Sequence, residues 1–190
     1  MKEFCNLKYY LSIVCLLLTI NSIAQNGSVS ITPIYDTPVK SETPAVNDFC
    51  GSMNQLINDA FGGFVKAKGK EIEVHSETAI WSSNMGLQGA VTSSLIFTIS
   101  WHYEGIIYLG GSASDMATYY NKYKKLLGEC LPGKGYDVST EKNAAPKLGS
   151  YPGIIYSTPS GQAPRITMSV EYTESTNTYT LAVNIWQAMK

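Results

Sequence analysis

Residues 47–190 predict an α+β domain: a mostly antiparallel sheet with two helices packed on one face. Three observations carry this. Two stretches, residues 48–66 and 115–130, repeat apolar side chains at steps of three and four. Much of the remaining chain alternates apolar and polar residues with period two, the mark of a half-buried strand. The last such segment folds back on itself, residues 166–173 against 178–187, through the polar run 174–177.

The first helix is expected over residues 48–66. Asn47 or Asp48 can cap it, and Phe49, Met53, Leu56, Ile57, Ala60, Phe61 and Phe64 form one stripe. Gly62 and Gly63 weaken the last turn, and Gly69 ends the segment. In the second helix Ser112 with Asp115, or Ser114, supplies the cap. Met116, Tyr119, Tyr120, Tyr123, Leu127 and Cys130 are its apolar side, and Pro132 with Gly133 stops it.

Strands are expected at residues 71–75, 136–139 and 153–157, with an irregular crossing over 78–92 around Trp81. Residues 95–103 alternate: Leu95, Phe97, Ile99, Trp101 and Tyr103 face one way, Ser94, Ile96, Thr98, Ser100 and His102 the other. Glu104 and Gly105 read as a two-residue hairpin turn, with residues 106–109 returning. The order helix, glycine, strands and hairpin occurs twice, so the pattern admits a tandem α-β-β-β duplication with halves 47–110 and 112–190. Chance likeness between two ordinary αβ patterns accounts for it equally well.

The first 24 residues read as a cleavable secretory signal peptide. Lys2 and Lys8 give a basic start, residues 11–20 are apolar, and Ser22 and Ala24 stand at the −3 and −1 positions of a cleavage site. The apolar run is too short for a membrane helix, which needs about 20 residues, and Cys15 lies inside it rather than at the cleavage point of a lipoprotein. Residues 25–46, broken by Pro33, Pro38 and Pro44, read as an extended arm. The expected location is secreted or periplasmic, with no membrane attachment after cleavage.

Cleavage removes Lys2, Lys8 and Glu3 and leaves 12 Lys and Arg against 14 Asp and Glu, a net charge of −2 over 166 residues. A nucleic-acid partner bound through a basic patch is excluded on that balance. Cys5 and Cys15 leave with the signal, so Cys50 and Cys130 remain, and in an oxidising compartment they are expected to pair.

No motif for catalysis survives inspection. Ser139, Thr140, Glu141 and Lys142 fit S-x-x-K, but that chemistry needs the serine at a helix start, and here a strand runs into a loop. Gly63, Gly69 and Lys70 miss the phosphate-loop spacing by one, and Glu71 stands where a hydroxyl must hold magnesium. Glu71, Glu73 and His75 share one strand face, yet two histidines and scattered carboxylates are weak grounds for a metal. Cys50 as a nucleophile is explained more simply by pairing. No catalytic residue, metal or cofactor is therefore assigned.

What remains is a surface. On the last hairpin Ile166, Met168, Val170, Tyr172, Tyr179, Leu181, Val183 and Ile185 take the core side. By parity Thr167, Glu171, Thr180, Asn184 and Trp186 take the other, joined by Ser100 and His102. An aromatic among hydroxyls suits recognition by stacking and hydrogen bonding. The leading expectation is an exported non-catalytic binding module for a protein partner or an extracellular polymer, a class that includes inhibitors and neutralising proteins. It would use this open sheet face or the 158–165 loop. A small hydrolase is the first alternative, marked by a cleft joining His102 or His75 to a carboxylate. A cup for a small apolar ligand, lined by Met53, Phe61, Met116 and the tyrosines, is the second.

Overall fold

The computed structural model describes residues 48–75, 77–143 and 146–188. The signal-peptide and arm expectations, at 1–24 and 25–46, lie outside the described residues. Helix α1 spans Phe49–Phe61; strands β1 to β4 follow at Lys68–Val74, Ala79–Ser83, Thr92–Phe97 and Trp101–Gly110. Helix α2 spans Ala113–Cys130, and strands β5 to β8 follow at Asp137–Glu141, Gly153–Ser157, Ile166–Thr173 and Thr178–Trp186. All eight strands form one sheet in the order β1-β2-β3-β4-β8-β7-β6-β5, and every pairing is antiparallel. Each half is thus a helix followed by a four-stranded meander. The meanders join through β4 and β8 at the centre.

The caps explain where the helices begin. The Asp48 carboxylate accepts from the N–H groups of Cys50 and Gly51, and Ser112 Oγ accepts from Asp115 N–H. Helix α1 stops five residues short of expectation because Gly63 takes a left-handed φ of 80°. The buried Asp59 carboxylate then accepts from the N–H groups of Lys66 and Ala67. With the helix ended there, Phe61 is 48 % exposed rather than part of the core stripe.

Both helices pack on the same sheet face. Met53, Leu56, Met116 and Leu127 meet Leu95, Tyr103, Ile107, Met168, Leu181, Val183 and Ile185, all deeply buried. Cys50 at the start of α1 and Cys130 at the end of α2 are joined by a disulfide with Cα atoms 5.3 Å apart. Antiparallel helices on one face bring those ends together.

The first hairpin departs from expectation. Its turn lies at residues 98–100, with Phe97 opposite Trp101, and Glu104 and Gly105 sit in the middle of β4. A three-residue loop between directly opposed partners preserves parity, so the alternation runs through the turn without a visible break. Leu95, Phe97, Trp101 and Tyr103 share a face as expected, but Ile99 at the tip is 98 % exposed and Ser100 lies in the loop. Gly105 is there for another reason than a turn. A Cβ at this position would lie 2.9 Å from Tyr103 Oη, so the glycine makes room for that buried ring.

Candidate functional site

The face opposite the helices carries the even-numbered residues of β3 and β8, residues 102, 104 and 106 of β4, and the odd-numbered residues of β7. One transverse row runs Ser82, Ser94, Glu104, Asn184, Thr167. Beside it a second row runs Ile80, Ile96, His102, Trp186, and the Trp186 backbone N–H donates to the Arg165 carbonyl. Thr180 opposite Glu171 lies on the same face, nearer the other end of β8. Of the residues expected on the surface, Thr167, Glu171, Thr180, Asn184, His102 and Trp186 thus share it, and Ser100 does not.

The centre of this face is more enclosed than a solvated sheet surface. No helix or strand among the described residues lies over it, yet His102 is 8 % exposed and Ile106 and Ala182 are also buried. Trp186 is half-buried rather than freely exposed. The His102 and Trp186 rings stack at 4.2 Å between centroids and 25° between planes. The Arg165 guanidinium approaches the same indole at 5.4 Å. Because His102 and Arg165 come from opposite sides of β8, both flanks of the indole are occupied.

Three buried polar atoms here have no hydrogen-bond partner: His102 Nδ1, Asn184 Oδ1 and Trp186 Nε1. Among the described residues only one other buried side-chain atom, Asn54 Oδ1, shares that condition. Such groups are uncommon in folded proteins, and each costs about 1–3 kcal/mol when left unmet. Here they stand on neighbouring positions of a single face.

Ionisation follows the same enclosure. Burial lowers the His102 pKa, which favours the neutral ring. Burial, and then the Glu171 carboxylate, raise that of Glu104. No Lys, Arg or His among the described residues forms an ion pair with Glu104 or Glu171. Glu104 is the central residue that sequence reasoning missed. Reading it as a turn removed it from the face; a ten-residue strand over 101–110 would have placed it there by parity with His102.

Elsewhere the structure gathers less. Glu73 and His75 bond to each other on the exposed β1 strand, whose register shifts between Glu71 and Glu73. No group of three potential metal ligands forms among the described residues. Ser139 and Glu141 lie in strand β5 and Lys142 just beyond it, with no helix start between them. Met53 and Met116 are fully buried in the packed core. An open cleft of about 380 Å³ lies outside α1, where Asn54 and Phe61 meet Lys134, Tyr136 and Ala163 of the 158–165 loop. Phe61 and Tyr136 join this cleft to the expected cup lining, and Met53 and Met116 do not. The tryptophans Trp81 and Trp101 pack together on the helix side of the sheet, 4.7 Å apart, with the Lys68 ammonium over both.

No described helix is long and apolar enough to cross a membrane. No protein-family model matches the chain, and no curated protein and no solved structure matches it.

Proposed function

We propose that this chain is an exported, non-catalytic binding module that recognises a protein partner or an extracellular polymer through the open face of its sheet. The observation that carries the reading is the set of three partnerless buried polar atoms on His102, Asn184 and Trp186. A surface that served only to meet water would leave them wet; a surface shaped for a ligand leaves their hydrogen bonds to the ligand. Export is supported by the Cys50–Cys130 disulfide, which suits an oxidising compartment, and by the signal-like first 24 residues. Mass spectrometry of the protein recovered from its native host should find Gln25 as the first residue, and a chain retaining residues 1–24 would defeat the export claim.

The face itself is tested by site-specific cross-linking in the producing culture. A photo-reactive benzoylphenylalanine at Thr167, on the open face, should yield an adduct. The same residue at Lys124, on the exposed side of α2, should not. Equal adducts from both positions, or none from Thr167, would remove the open face as the recognition surface.

One observation favours a hydrolase as the second reading. His102 and Glu104 stand two apart on one strand face, a histidine and a carboxylate together in an enclosed setting where either could exchange a proton with a substrate. Against it, His102 makes no hydrogen bond to a serine, threonine or cysteine among the described residues that it could activate.

A further inference from the structure

The central question about the open face is what kind of group would complete it. Its acceptors are unbalanced. Asn184 Oδ1 is a buried acceptor without a donor, and directly across the strands Glu104 presents a carboxylate with no ion pair. Glu171 adds a second carboxylate on the same face, near enough to act on Glu104. Thr167 and Ser94 flank this pair along the same row. Nine-tenths-buried His102 adds a ring nitrogen with no partner. The Arg165 guanidinium is engaged over the Trp186 ring.

Resting on the open face as the recognition surface, we infer that its centre takes a basic side chain, a guanidinium or an ammonium, presented by a protein partner. Glu104 and Asn184 would accept its hydrogen bonds while Glu171 adds a second negative charge nearby. A guanidinium carries five donors and no acceptor, which matches a carboxylate beside an amide oxygen. The cation would also relieve the repulsion between the two carboxylates. A sugar polymer fits less well. Saccharides rest on an open aromatic face, and both flanks of Trp186 are taken by His102 and Arg165. An anionic polymer would meet two carboxylates. A neutral His102 adds no opposing charge.

The test uses the disulfide-bonded protein and three probes: acetyl-Gly-Arg-Gly-amide, its uncharged analogue with citrulline for arginine, and cellohexaose. The readouts are the Trp186 indole and Asn184 side-chain amide resonances in two-dimensional NMR, the indole assigned with Trp186→Phe. The arginine peptide should shift both saturably. The citrulline peptide, and the arginine peptide against Glu104→Gln, should each bind at least about tenfold more weakly, the loss expected for a charge-assisted bond. Affinity for the arginine peptide should rise with pH as Glu104 loses its proton. Equal binding of the two peptides, or an unchanged affinity in Glu104→Gln, would overturn the inference. Shifts from cellohexaose alone would overturn it too, while leaving the open face intact as a binding surface. Silence from all three probes would overturn the basic side chain as ligand, and the cross-linking at Thr167 would then decide the surface separately.

Discussion

Replacing Cys50 and Cys130 together by serine should lower the unfolding free energy by about 4.5 kcal/mol. The bridge spans 80 positions of sequence, from the first turn of α1 to the last residue of α2, and its loop holds both helices and strands β1 to β4. In the chain-entropy account, a loop of that length restricts the unfolded ensemble strongly. The contacts around the cysteines are otherwise modest: Cys130 is buried and Cys50 is only partly so. The loss should therefore appear mostly as a changed urea midpoint with native-like far-UV circular dichroism before unfolding. A change under about 1 kcal/mol would mean that the helices are held in place without the bridge.

Tyr103→Ala should cost about 3–5 kcal/mol, the range for removing a buried aromatic ring from a core. Tyr103 is fully buried, lies over Gly105, and fixes the loop before β3 through its hydroxyl. Leu87 N–H donates to Tyr103 Oη at 2.8 Å, and Ser93 Oγ lies 2.7 Å from it. Tyr103→Phe isolates that share and should cost about 1–3 kcal/mol, because it leaves the buried Leu87 N–H without an acceptor. The hydroxyl also gives the fold an alkaline limit. Burial pushes the Tyr103 phenol up to about 12, above its value of about 10 in the unfolded chain. A raised folded pKa means that the contribution is complete below about pH 10 and is lost as pH rises toward about 12. At about pH 11 the loss through this residue is about 1.4 kcal/mol. Urea midpoints measured at about pH 9 and about pH 11 should differ less in Tyr103→Phe than in the parent. An equal drop in both would assign the alkaline sensitivity to other tyrosines.

Tyr103 also shows why the first hairpin was harder to read than the second. In the second hairpin the polar run 174–177 interrupts the alternation, and the strands fall where period two places them, at Ile166–Thr173 and Thr178–Trp186. In the first, the turn at residues 98–100 keeps parity, while Glu104 and Gly105 imitate a turn inside a strand. The disulfide was legible because Cys50 and Cys130 are the two cysteines outside the signal-like segment, and the helix caps because Asp48 and Ser112 have the right donors two or three residues on. The enclosure of His102 and Trp186 was not legible. Parity says which side of a strand a residue takes, but not how far its neighbours rise around it. The charge character of the site was hidden with Glu104, whose role depends on lying across from Asn184.

On the reading of the open face as a recognition surface, the polar atoms at its centre are kept for something outside the chain and do nothing for the fold. Unfolding of the double variant His102→Phe, Asn184→Leu tests this without any partner in hand. Phenylalanine keeps the stacking on Trp186, and leucine is close to asparagine in shape. Replacing partnerless buried polar groups by apolar ones of similar shape is neutral or stabilising. The account predicts a double variant as stable as the parent or more stable by up to about 2 kcal/mol, with the Thr167 cross-link lost. A double variant less stable by about 2 kcal/mol or more would show that these groups hold the fold together, and would contradict the claim.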